Sequence, residues 1–160
     1  MTTPALLPWS VLRERGWTPD QVAAAVTRGT LVRVARGVYA APGDLTAEAE
    51  HLRLARVLRG RLGAGAALSH DSAALLHGLP LAKVPPRVHA TREPPAGGRR
   101  TAQLHLHVAP LAGSVTTVAG VRVTTLARTA ADLARNHSFT WGVAATDAAL
   151  RPRTRRAPGH

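Results

Sequence analysis

Along the first forty residues the apolar positions change their period once. Leu12 and Trp17 flank Gly16, and Ser10 stands where it can cap a short helix running through Arg15. Thr18, Pro19 and Asp20 then supply an N-cap, a first helical position and a first-turn carboxylate. Val22, Ala23 and Val26 recur at helical spacing, which predicts a second helix closed by Gly29 after Arg28, with those three side chains facing inward. Beyond Gly29 the period falls to two. Leu31, Arg33 and Ala35 are expected on one side and Val32 and Val34 on the other, with a return strand from Gly37 to Ala41. Pro42, Gly43 and Asp44 mark a boundary.

The remainder alternates between the same two periods. A helix is predicted from Thr46 to Leu58, with Ala49, Leu52, Ala55 or Arg56, and Leu58 near one face. A short strand from Ala66 to Leu68 leads to Ser69, placed to cap a helix from His70 to His77. Strands follow at Arg87–Thr91 and Gln103–Val108, separated by a basic Pro/Gly turn, and a hairpin joins Val115–Val118 to Val121–Thr124 around Ala119-Gly120. Helices are predicted at Leu126–Arg135 and Thr140–Leu150. The last ten residues, with four Arg and two Pro, read as a disordered basic tail. The pattern as a whole predicts an α+β fold: a winged helix-turn-helix over residues 1–44, a small α/β module over 45–150 that offers a dimer or partner surface, and the tail at 151–160.

Composition narrows the function classes. Cysteine is absent, so disulfides, thiol nucleophiles and thiolate metal sites are excluded. No apolar run reaches the roughly 18 residues of a membrane span, and no basic-then-apolar leader opens the chain, which points to the cytoplasm and away from membranes. The net charge of +12 comes from 21 basic residues against 9 acidic, and every basic residue except Lys83 is Arg. A polyanion releases condensed counterions on meeting such a chain, and Arg forks onto phosphates and guanine edges. Charge alone fits equally well a protein merely kept soluble.

Three segments carry a resemblance. Gly16-Trp17-Thr18 to Val26 runs on through Arg28–Val34 to Arg36-Gly37-Val38-Tyr39-Ala40; the second segment is Leu68–Pro80; the third is Val118–Thr129 with Ala131–Ala134. In this order they resemble the AbiEi family of antitoxins and transcriptional regulators from type IV toxin–antitoxin systems, over roughly Ser10 to Leu150. The resemblance implies a DNA-binding repressor of its own operon that opposes a nucleotidyltransferase-like toxin. Longer relatives carry a Vsr-like endonuclease after the second module. Clustered carboxylates with a following Lys do not occur here, so that activity does not carry over. Few residues precede Ser10, so the first helix of the usual three-helix core is short or absent.

The candidate contacts to double-stranded DNA lie in the N-terminal module. Gln21, Thr27 and Arg28 remain for a groove once the inward face of the second helix is subtracted; Gln21 suits adenine, Thr27 a phosphate or thymine methyl, and Arg28 guanine or backbone. Arg33 and Arg36 on the hairpin, with Arg13 and Arg15 beside it, suit phosphates or a minor groove. The basic turn (Arg92, Arg99, Arg100) and the tail (Arg151, Arg153, Arg155, Arg156) would extend that footprint or stand as solvated loops.

Other chemistry is weaker. His105 and His107 share a strand face that His89 can join, and His70 and His77 lie two helical turns apart, but no carboxylate is placed beside the strand histidines, and imidazoles at such positions serve as readily as hydrogen-bonding groups, so neither metal nor cofactor is expected. Ser69-His70-Asp71 has the letters of a hydrolase triad, but adjacent residues at a helix start diverge by about 100°, which favours a capped start. Asp132 is expected to make a helix-surface ion pair with Arg128 and Arg135, while Asp147 stands apart. The expectation is therefore a non-enzymatic regulator, a homodimer on two-fold half-sites if the second module self-associates. Its rival is an interaction module, or a truncated remnant of a longer nuclease-like protein, that binds a partner with little specific DNA affinity.

Overall fold

Where the apolar period changes, the chain changes element. A computed structural model describes residues 4–136 as a mixed α+β fold of five helices and two sheets. Strand β1 (Leu6–Pro8) leads into helix α1 (Trp9–Glu14) and helix α2 (Pro19–Thr27), followed by β2 (Val32–Ala35) and β3 (Val38–Ala40). These strands form a three-stranded antiparallel sheet in the order β1-β3-β2. Strand β1 was not foreseen in the sequence. Its three residues align with Ala40, Tyr39 and Val38, and only this pairing identifies them as a strand.

Helix α2 starts as its residues require. The Thr18 side chain accepts from the Gln21 amide at 3.3 Å, and Gln21 Oε1 accepts from the Thr18 amide at 2.9 Å, a reciprocal capping box. Helix α1 has no such cap: it begins after Pro8, and Ser10 lies inside it rather than before it. The inward face of α2 is also displaced. Val22 and Ala25 are buried, whereas Ala23 is exposed, because the helix rests on Leu12 and Leu31, with Tyr39 of the hairpin packed against the same cluster.

In the hairpin, Arg33 pairs with Tyr39 and Ala35 with Val38, so Val34 is an extra residue. Such a bulge breaks the period of two. Val34 and Ala35 are consequently both buried, with Val38 and Ala40, against Leu54, Val57 and Leu58 of helix α3 (Ala47–Gly60), and the strict alternation expected of Leu31–Ala35 fails there. Gly37, at φ +66°, supplies the left-handed residue of the turn.

The larger sheet runs β6-β7-β5-β4-β9-β8, built from β4 (Ala66–Leu68), β5 (Val88–Arg92), β6 (Arg99–Arg100), β7 (Leu104–Val108), β8 (Val115–Val118) and β9 (Val121–Thr124). Helix α4 (His70–His77) and helix α5 (Leu126–Asn136) complete the described residues. Ala55, Leu68, Ala73, Val88, Ala90, Leu104, Leu106 and Val123 form the main core. On α3 the buried positions are His51, Arg53 and Ala55, not the Ala49–Leu52 stripe, because the helix turns one face to α4 and another to the hairpin. Asp132 binds Arg128 Nε at 2.9 Å and Arg135 at 3.4 Å, but it is 4% exposed, so its charge is buried rather than on the helix surface, with Arg135 reaching it from solvent.

The helix at Thr140–Leu150, Asp147 and the basic tail lie outside the described residues. Among the described residues no helix is long and apolar enough to cross a membrane. The capping box yields a direct test: Thr18→Ala removes one side-chain acceptor and should cost about 1 kcal/mol, read as a lower midpoint of urea unfolding with an unchanged m-value.

Candidate functional site

The N-terminal arginines fall on two concave surfaces. Arg33 and Arg36 line a groove of about 560 Å³ together with Trp9, Ala23, Val26 and Tyr39. The exposure of Ala23 follows from this, since one flank of α2 forms a groove wall opposite the hairpin. Arg15, Gln21 and Arg28 line a second, more polar hollow with Gly16 and Trp17, where the turn between α1 and α2 meets the end of α2. Arg13 is exposed in the last turn of α1. All five arginines are exposed.

The expected readers on α2 are partly committed to their own helix. Gln21 spends its amide oxygen on the capping box, and the Thr27 hydroxyl donates to Ala23 O at 3.0 Å. Arg28 is the residue on this helix with a long, charged and exposed side chain. The hairpin is also anchored from behind: Arg61 donates to Arg36 O at 2.7 Å, and Gln103 Nε2 donates to Val34 O at 3.1 Å. In the basic turn, Arg92 donates to Gly97 O, which closes the loop, and Arg99 and Arg100 stand exposed on β6.

A second assembly lies at the joint of β4 and α4. Strands β5 and β7 run parallel with His89 opposite His105, so His89, His105 and His107 share the face opposite Val88, Ala90, Leu104 and Leu106. His89 Nδ1 and His107 Nε2 are 3.1 Å apart, and the His107 ring is stacked on His70 at 4.0 Å between centroids. The sequence pointed to the three strand histidines. It set His70 beside His77 and not with them, because His70 arrives from a separate element.

His70 reaches this position through its backbone. Its φ is +50°, a region that a non-glycine residue occupies at a cost of about 1–3 kcal/mol. The positive φ removes the helical divergence expected between neighbours, so Ser69 Oγ lies 2.9 Å from His70 Nδ1. Ser69 therefore does not cap α4 with its side chain, as the sequence suggested. Its hydroxyl instead accepts from Thr91 Oγ1 at 2.8 Å. Ser72 accepts from the His89 amide at 2.8 Å and meets His51 Nε2 at 2.8 Å. His77 sits apart, with Nε2 on Thr124 O at 2.8 Å.

Burial, and then the neighbouring imidazoles His107 and His89, push the pKa of His70 down to about 3. Burial, then His105 and His89, push His107 down to about 4, against a smaller opposing pull from Asp71. Burial lowers His51 as well, against a hydrogen bond to the Pro85 backbone and the charge of Asp71, and burial with Arg100 and Arg87 lowers His105. His70 and His107 are thus neutral rings at neutral pH.

No protein-family model and no curated protein matches the chain. Among solved structures it is similar to the Rv2827c protein from Mycobacterium tuberculosis, with a TM-score of 0.56 and 19% identity, over 82% of this chain and 55% of that one. At this identity the likeness concerns the fold. The chain spans about half the length of that protein.

The depressed imidazoles set a pH dependence. Unfolded histidines titrate near 6.5, and His70 and His107 titrate near 3 and 4 in the fold, so below 6.5 the unfolded chain binds more protons. Their stabilisation is complete above 6.5 and is lost as pH falls toward the folded values. With EDTA present to keep stray ions off the rings, the urea midpoint should fall between pH 6.5 and 5. His107→Gln should fall less steeply, and an equally steep fall would acquit these rings.

Proposed function

We propose that the chain is a non-enzymatic DNA-binding regulator whose N-terminal segment acts as a winged helix-turn-helix. The carrying observation is that Arg33 and Arg36 of the hairpin and one flank of α2 open onto a single groove, while Arg15 and Arg28 line a second hollow and Arg13 is exposed on α1. The element order supports it as well. A strand, two helices meeting at a glycine turn and a hairpin whose second strand pairs back onto the first make up the body of such a module.

The side chains favour a particular kind of binding. With Gln21 and Thr27 engaged inside their own helix, α2 offers few free polar groups for base edges. Affinity then rests mainly on phosphates met by arginine, and sequence preference on Arg28 and on the shape of the duplex. On this reading the protein works in the cytoplasm, represses its own operon as an antitoxin-type regulator, and faces a nucleotidyltransferase-like toxin. Residues 1–44 serve as the reading module and the following α/β part as the dimer or partner surface.

One observation favours a second reading. The groove walls include Trp9, Val22, Val26 and Tyr39, an apolar lining suited to a segment of a partner protein. In that case the arginines at its rim would orient the partner instead of gripping a duplex.

Gel shift with the DNA upstream of its own reading frame, at two salt concentrations, separates the two. Arg33→Ala and Arg36→Ala should each weaken binding to all sequences and lower the log–log salt slope by about one. Arg28→Ala should instead change the ranking among sequences. Binding that is absent at low salt, or indifferent to salt, would leave the partner-protein reading in place of the DNA one.

A further inference from the structure

Outside the arginine grooves, the joint of β4 and α4 gathers imidazoles that the proposed regulator does not use. His70, His89 and His107 each offer one ring nitrogen, and these nitrogens all lie within 4.8 Å of one another. From the geometry we infer that these three histidines form a binding site for a single divalent transition-metal ion of the zinc class.

The separation of the two strand nitrogens fits the ion. Zinc–nitrogen bonds of about 2.0–2.1 Å at tetrahedral angles place ligand nitrogens about 3.3 Å apart, and His89 Nδ1 and His107 Nε2 already stand at 3.1 Å. Donor chemistry points the same way. Imidazole suits zinc, copper, nickel and iron(II), while calcium and magnesium prefer oxygen. Three neutral nitrogens leave at least one coordination position for water or a further ligand.

The surroundings are those of a ligand set. A metal-binding histidine donates its second N–H to an outer partner that fixes ring and tautomer. His70 Nδ1 faces Ser69 Oγ at 2.9 Å, which leaves Nε2 for an ion, and Ser69 is itself held by Thr91. The Asp71 carboxylate lies close enough to favour positive charge at His107. Burial keeps His70 and His107 deprotonated near neutrality, as ligands must be. The positive φ of His70 is then a local cost met at the residue that completes the triad. His105 lies tilted against His107, 3.9 Å between centroids, without joining the triad, so it provides a control.

The full chain, stripped with EDTA and dialysed, would be titrated with Zn2+ by calorimetry. One ion per chain is expected, together with a rise in Tm. His89→Gln and His107→Gln should each weaken binding by more than about 100-fold, beyond the cost of losing an outer-sphere partner. His105→Gln should bind as the unaltered protein does. Should a variant fail to fold, Co2+ added to the unaltered protein decides the case, since four-coordinate cobalt bound by nitrogen shows strong visible bands and six-coordinate cobalt only weak ones. No saturable Zn2+ binding, binding that survives both substitutions, or only the weak bands would overturn the site.

Discussion

The turn from β4 into α4 is the constraint on which the larger part of the molecule depends. Strand β4 is central and wholly buried, so its polypeptide must leave the sheet without an unpaired polar group. Ser69 N donates to His89 O, Ser69 Oγ receives Thr91, and Ser72 Oγ receives the His89 amide. Two serines, Ser69 before α4 and Ser72 in its first turn, thereby satisfy the neighbouring strand and hold α4 against it. The same hydroxyl, Ser72, meets His51 and so draws α3 onto the joint. Because His51 also bonds the Pro85 backbone, this ring connects three segments.

Around this joint the interior is built from small side chains. Ala55, Ala66, Ala67, Ala73, Ala74 and Ala90 have no measurable exposure, and aromatic residues make up only 3% of the chain. Alanine buries little area but lets backbones come close, so close approach replaces bulk, and each hydroxyl bond at the joint carries a larger share of the specificity. The larger apolar groups gather elsewhere. Trp9, Trp17 and Tyr39 surround Leu12, Val22 and Leu31 in the N-terminal part, where two short helices need bulk to stay folded.

How much of this could be read from the sequence varied with the range of the contact responsible. The N-cap at Thr18, the hairpin at Ala119-Gly120 and the span of α4 follow from neighbours a few residues apart, and the sequence showed them. Strand β1, the bulge at Val34 and the buried faces of α2 and α3 depend on partners distant in sequence, so local period misplaced them. The candidate residues divided in the same way. The exposure of the seven N-terminal residues could be anticipated, whereas the internal bonds of Gln21 and Thr27 depend on side-chain geometry that spacing does not encode. The period of two placed His89, His105 and His107 on one face. His70 joins them only because its backbone departs from the helix whose start the letters suggested.

Arg61 and Gln103, which reach from the larger part onto the carbonyls of Arg36 and Val34, bear on the cost of association. A free hairpin tip samples many conformations and surrenders them when it is gripped. Here those freedoms are given up during folding, with Val34, Ala35, Val38 and Ala40 seated on α3. Whatever settles against Arg33 and Arg36 would therefore meet a preorganised edge and forfeit little entropy in ordering it.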